Sequence, residues 1–99
     1  MKIALSVLTA VTLGLATAAF AYSGEKLAKN AHVTITQATA IALKTRPGKI
    51  TDKELERELG GSGLRYSFDV TAGDGKYEIG VDAATGKVLE NTREGAHPD

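Results

Sequence analysis

The chain has 99 residues, with 12 basic and 12 acidic side chains, no cysteine and no tryptophan. That length holds one small domain at most, and a formal charge of zero lacks the basic excess that marks a nucleic-acid binder. Without cysteine there can be no disulfide, zinc–thiolate site or thiol nucleophile, and two histidines are too few for most transition-metal sites.

Met1 and Lys2 precede nineteen uncharged residues, Ile3 to Ala21, which end in Ala19-Phe20-Ala21. A positive start, an apolar stretch and an A-x-A ending form the pattern of a secretory signal peptide. Cleavage is expected between Ala21 and Tyr22. The rival is an uncleaved anchor, since about 20 apolar residues span a bilayer. Thr9, Thr12, Gly14 and Thr17 dilute the stretch, and no positive stop-transfer cluster follows closely. The expectation is therefore a cleaved signal over 1–21, a periplasmic or secreted product, and no stable membrane anchor after cleavage. Loss of Lys2 leaves one more acidic than basic side chain. A core of this size supplies only about 3–5 kcal/mol, so marginal stability or assembly, including a homodimer, is expected.

Residues 22–33 are polar, without clean periodicity, and read as a flexible leader. A helix is expected next, capped by Thr36, with Ala38, Ile41, Ala42 and Thr45 on one face. Lys44 and Arg46 favour the negative end of its dipole, and Pro47-Gly48 stops it. Its small alanines suggest a close approach to a sheet. The segment from Ile50 to Leu59 reads two ways. Thr51 with Glu54 makes a capping-box pattern in a run of good helix formers. The alternation of Leu55, Arg57 and Leu59 against Glu54, Glu56 and Glu58 fits a strand. Local evidence slightly favours the helix.

Gly60-Gly61-Ser62-Gly63 is a turn. Leu64, Tyr66, Phe68 and Val70 then alternate with Arg65, Ser67, Asp69 and Thr71, and Tyr77, Ile79 and Val81 alternate with Lys76, Glu78, Gly80 and Asp82. With Gly73-Asp74-Gly75 between them, these runs make a half-buried antiparallel hairpin. A turn from Asp82 to Lys87 leads to a last short strand around Val88-Leu89, and the polar end, 92–99, reads as a fraying tail. The fold class is α+β: one N-terminal helix packed on a three- to four-stranded antiparallel sheet.

In order, Ala38 to Gly48, Ile50, the acidic run Glu54 to Glu58, Tyr66 to Val70, and Tyr77 to Leu89 resemble the PepSY domain family over residues 34–91. The most specific string is Val81-Asp82-Ala83-Ala84-Thr85-Gly86-Lys87-Val88-Leu89. The resemblance implies that Gly48 to Leu59 is a strand. It also implies a small exported module that restrains or modulates extracytoplasmic peptidases, or binds peptide-like partners. No catalytic domain follows in this sequence, so inhibition is expected to act in trans.

Candidate chemistry is sparse. Between Thr34 and Asn91 there is no His and no Cys to serve nucleophilic catalysis, and Glu54, Glu56 and Glu58 recur along a strand face as solvated charges. No enzyme, no cofactor and no metal site is expected. Glu56, Glu58 and Asp69 would hold a hard cation only if they converged, while Asp74 and Asp82 read as turn residues. The candidate partner surface is the polar sheet face, with Arg57, Arg65, Asp69, Lys76, Glu78 and a notch at Gly80 where another backbone could approach. The expected function is a non-enzymatic binding module for a protein or peptide, a secreted peptidase among them. The alternatives are a structural self-associating domain and a small-ligand sensor of the cell envelope.

Overall fold

Thr34 starts the main helix, α1 (Ile35–Thr45). Its hydroxyl accepts the Gln37 N–H at 3.0 Å, while Gln37 Oε1 accepts the Thr34 N–H at 2.9 Å. This reciprocal capping box satisfies two amides that a helix start leaves without partners. The expected cap, Thr36, lies instead inside the first turn, because only Thr34 has a Glu or Gln three residues on. Arg46, turned to extended φ and ψ ahead of Pro47, ends the helix, as a residue before proline tends to. These particulars come from a computed structural model that describes residues 21–95. The expected signal therefore lies outside the described residues apart from Ala21, as does the end of the tail.

Four strands follow: β1 (Lys49–Arg57), β2 (Leu64–Ala72), β3 (Gly75–Asp82) and β4 (Val88–Arg93). They form one antiparallel meander in the order β1-β2-β3-β4. The segment with helical propensity is thus extended. Leu55 pairs with Tyr66 and is only 2% exposed, so tertiary burial of one leucine outweighs the propensity of its glutamates. Pairing ends at Arg57, and Leu59, expected on the same face as Leu55, stands 93% exposed in the loop. At the other end, β4 runs four residues beyond Leu89. Asn91, Thr92 and Arg93 pair with Ile79, Glu78 and Tyr77, so the start of the expected tail belongs to the sheet.

The core lies between α1 and one face of the sheet. Ala38 and Ala42 are fully buried among Tyr66, Phe68, Val70, Tyr77, Ile79 and Val81, and α1 packs on β2, β3 and β4. Arg46 lies 3.9 Å from the Tyr77 ring centroid, where a cation meets the negative face of the ring.

Residues 22–33, expected to be a flexible leader, carry structure of their own. They include a 3-10 helix, Glu25–Asn30, and Ser23 makes a parallel bridge to Glu54, its carbonyl accepting the Leu55 N–H at 2.8 Å. The amides of His32 and Val33 both donate to the Ala83 carbonyl at 2.9 Å. Tyr66 donates its hydroxyl to the Val33 carbonyl at 2.7 Å. Burial, and Tyr22 beside it, push the Tyr66 hydroxyl up to about 12. Leu27, Ala31 and Val33 pack against the same core, so the segment completes the cover that α1 begins.

Candidate functional site: the open face of the sheet

Side chains alternate across a strand, and residues directly opposite in an antiparallel pair share a face. The registers therefore build the second sheet face row by row. Glu56, Arg65 and Asp82 make one row; Glu54, Ser67, Gly80 and Glu90 the next; Asp52, Asp69, Glu78 and Thr92 the third. Lys49, Thr71 and Lys76 close it. Among the described residues both helical segments pack on the opposite side, and no helix covers this face.

Arg65 lies at the centre of the upper rows. It is 8% exposed, with Nη1 3.3 Å from Glu90 Oε1 and 4.0 Å from Glu58 Oε2, and Nη2 donates to the Leu59 carbonyl at 3.2 Å. The side chain crosses Gly80, where an added Cβ would sit 3.2 Å from Arg65 Cδ. Gly80 is thus not the notch expected for an incoming backbone, because this chain's own arginine fills the space. Beside it, the Ser67 hydroxyl donates to Glu56 Oε2 at 2.8 Å. Burial pushes the Glu56 carboxyl up, but hydrogen bonds, led by that from Ser67, together with the charge of Arg65, outweigh it and hold it below the ordinary range.

Two further carboxylates of the face are shifted the other way. Glu54 is raised, first by the Glu56 carboxylate as a hydrogen-bonding neighbour, then by burial and the charges of Glu56, Asp52 and Asp69. Glu78 is raised by partial burial and by Glu90, Asp69, Glu94 and Glu56 around it. Carboxylate oxygens of Asp69, Glu78 and Glu94 lie within 4.8 Å of one another. This is donor chemistry suited to hard cations, but the trio differs from the Glu56, Glu58 and Asp69 set considered from sequence. Glu56 is engaged by Ser67, and Glu94 arrives by the extension of β4, its amide donating to the Lys76 carbonyl at 2.8 Å.

The structure therefore brings Arg65, Asp69, Glu78 and Gly80 together, with Lys76 at the margin. Arg57 does not join them: it pairs with Leu64, which puts it on the helix side, at the exposed end of β1. Glu90 and Glu94 were missed because only Val88 and Leu89 in β4 are apolar, too short a run to mark a strand through Arg93. Asp82 is the turn residue expected. Burial pushes its carboxyl up, and hydrogen bonds from Ser62 and the Ala84 amide more than offset this, leaving it below the usual carboxylate range. His32 is exposed at the exit of the 3-10 helix, away from this face. Among the described residues no helix is long and apolar enough to cross a membrane.

Fold and face together define a small α+β module with a helical cover on one side of a four-stranded meander and, on the other, a charged surface that no helix covers among the described residues. The sequence profile of the PepSY family, described as peptidase propeptide and YPEB domain, matches residues 33–92, more than half of the chain, and the chain belongs to that family. It is a peptidase-propeptide-like module in kind. No curated protein and no solved structure matches the chain.

Proposed function

We propose that this PepSY domain is a non-enzymatic, exported binding module that restrains or modulates an extracytoplasmic peptidase or another protein of the cell envelope. The observation that carries this reading is the sheet face that no helix covers among the described residues. It spans four strands and places Asp69, Glu78 and Glu94 side by side, next to the Arg65–Glu90 ion pair. A rigid face of fixed register presents its charges at fixed spacing, which suits recognition of a protein surface. Family membership supports the peptidase as the class of partner.

The test is to incubate the domain with exported peptidases from its own source and follow both binding and peptide hydrolysis. The expected result is slower hydrolysis by at least one of them, relieved by the double substitution Asp69→Asn, Glu78→Gln in a domain that keeps its circular dichroism spectrum. Binding to none and slowing of none would remove the reading.

A further inference from the structure

Two independent features meet at one peptide bond. From the upstream side, Ala19-Phe20-Ala21 ends an apolar stretch in the form that signal processing requires. From the downstream side, Tyr22 is docked on the domain while Ala21 beside it is exposed. The Tyr22 ring packs against Tyr66 with centroids 6.4 Å apart, and the next residue, Ser23, accepts the Leu55 N–H at 2.8 Å along the outer edge of β1. Gly24 then passes so close that an added Cβ would lie 1.8 Å from the Leu55 carbonyl oxygen. Ala21 itself is exposed, at the mouth of an open groove that Ile50 and Asp52 also line. The Tyr22 backbone nitrogen donates to Glu25 Oε1 at 3.3 Å.

We propose that hydrolysis of the Ala21–Tyr22 bond creates the mature N terminus, and that the new ammonium group of Tyr22 pairs with the Glu25 carboxylate to lock this terminus on the edge of β1. The reaction consumes one water, leaving a carboxylate on Ala21 and an amine on Tyr22. α-Amines titrate near roughly 7.7–8.0, so this one takes up a proton at neutral pH. The atom that becomes charged is the one already donating to Glu25, and a neutral hydrogen bond becomes a charge-assisted one. Cleavage precedes docking, because a peptidase needs extended, accessible backbone on both sides of the bond, and Ser23 is afterwards committed to β1. Processing thereby finishes the fold as well as releasing the chain. The terminus then occupies the β1 edge at Glu54 and Leu55, where backbone groups would otherwise be offered to other strands.

The experiment has two parts. The full chain is expressed in an exporting host and the exported protein is weighed intact; the expected mass is that of residues 22–99. Residues 22–99 are then prepared with a free α-amine and with an Nα-acetyl group, each with Glu25 and with Glu25→Gln. Acetylation is expected to lower Tm by roughly 2 °C where Glu25 is present, the size of an exposed ion pair in a small domain, and to leave the Glu25→Gln protein unchanged. An exported protein that begins elsewhere would overturn the proposal. So would an acetylation effect that is equal, or absent, in both backgrounds.

Discussion

Ser62 and Asp82, twenty residues apart, are joined by two hydrogen bonds: the Ser62 hydroxyl donates to Oδ1 at 2.7 Å and its amide to Oδ2 at 2.8 Å. The same carboxylate accepts the Ala84 amide at 2.8 Å. One buried side chain thus ties the glycine-rich loop after β1 to the turn after β3, and through Ala83 to the amides of His32 and Val33. Asp82→Ala leaves these donors without their acceptor and is expected to cost about 2–3 kcal/mol. The carboxyl is depressed in the folded state. Its stabilisation is therefore complete above the unfolded value near 3.9 and is lost as pH falls through the folded one. Urea unfolding at pH 7 and pH 3 checks both points: the gap between wild type and Asp82→Ala should shrink on acidification.

Gly24 passes close against the backbone of β1 at Leu55. At φ +82°, with the Leu55 backbone in the path of any Cβ, alanine is excluded by both backbone conformation and space. Gly24→Ala is expected to undock residues 22–24 while leaving α1 and the meander folded, at a cost of about 1–3 kcal/mol. Amide hydrogen exchange is the discriminating measurement. Protection of Leu55, whose N–H is bonded to Ser23, should fall sharply, while that of Phe68 and Ile79 should follow only the global loss.

The hairpin of β2 and β3 was legible because each strand carries strict alternation around a glycine turn, and the stop at Pro47 because proline acts on its neighbour whatever the tertiary context. The N-terminal segment was not legible. Its attachment combines backbone hydrogen bonds at Ser23, His32 and Val33, which carry no side-chain pattern, with apolar contacts from Tyr22, Leu27, Ala31 and Val33, whose spacing follows neither a helix nor a strand period. The strand at Glu54–Arg57 was ambiguous for a related reason, since a single buried leucine decides against several helix formers. Of the site, parity alone gave Arg65, Asp69 and Glu78. It could not reveal that Arg65 folds over Gly80, nor that Glu94 comes to Asp69, because both depend on which strands are neighbours.

Glu78 stands among Glu90, Asp69, Glu94 and Glu56, and its carboxyl is raised by burial and by these charges. A raised carboxyl binds its proton more readily in the folded state. The associated destabilisation is absent below the unfolded value near 4.3, grows as pH rises through the folded one, and is complete at neutrality. Glu78→Gln should therefore stabilise the protein by about 0.5 kcal/mol at pH 7, a modest figure because the face is open to solvent. At pH 3.5 it should make no difference. Chemical denaturation at the two values reads the difference directly, and a variant less stable than wild type at pH 7 would contradict the repulsion.

Arg65 and Glu90 meet at 3.3 Å on the same face, the arginine almost fully buried and the glutamate with 30% of its side chain exposed. Arg65→Met keeps the aliphatic stem that covers Gly80 but removes the charge. It leaves Glu90 and Glu58 facing Glu78 and Glu56 without a cation, and frees the Leu59 carbonyl that Nη2 held. A fully buried pair broken in this way would cost about 3–5 kcal/mol, and the exposure of Glu90 reduces the expectation to about 2 kcal/mol. In a Glu90→Gln background the same substitution should cost about 1 kcal/mol less, the coupling that a double-mutant cycle isolates. Equal costs in the two backgrounds would mean that Arg65 acts through the Leu59 carbonyl and its packing over Gly80, and that its charge does not organise the acidic face.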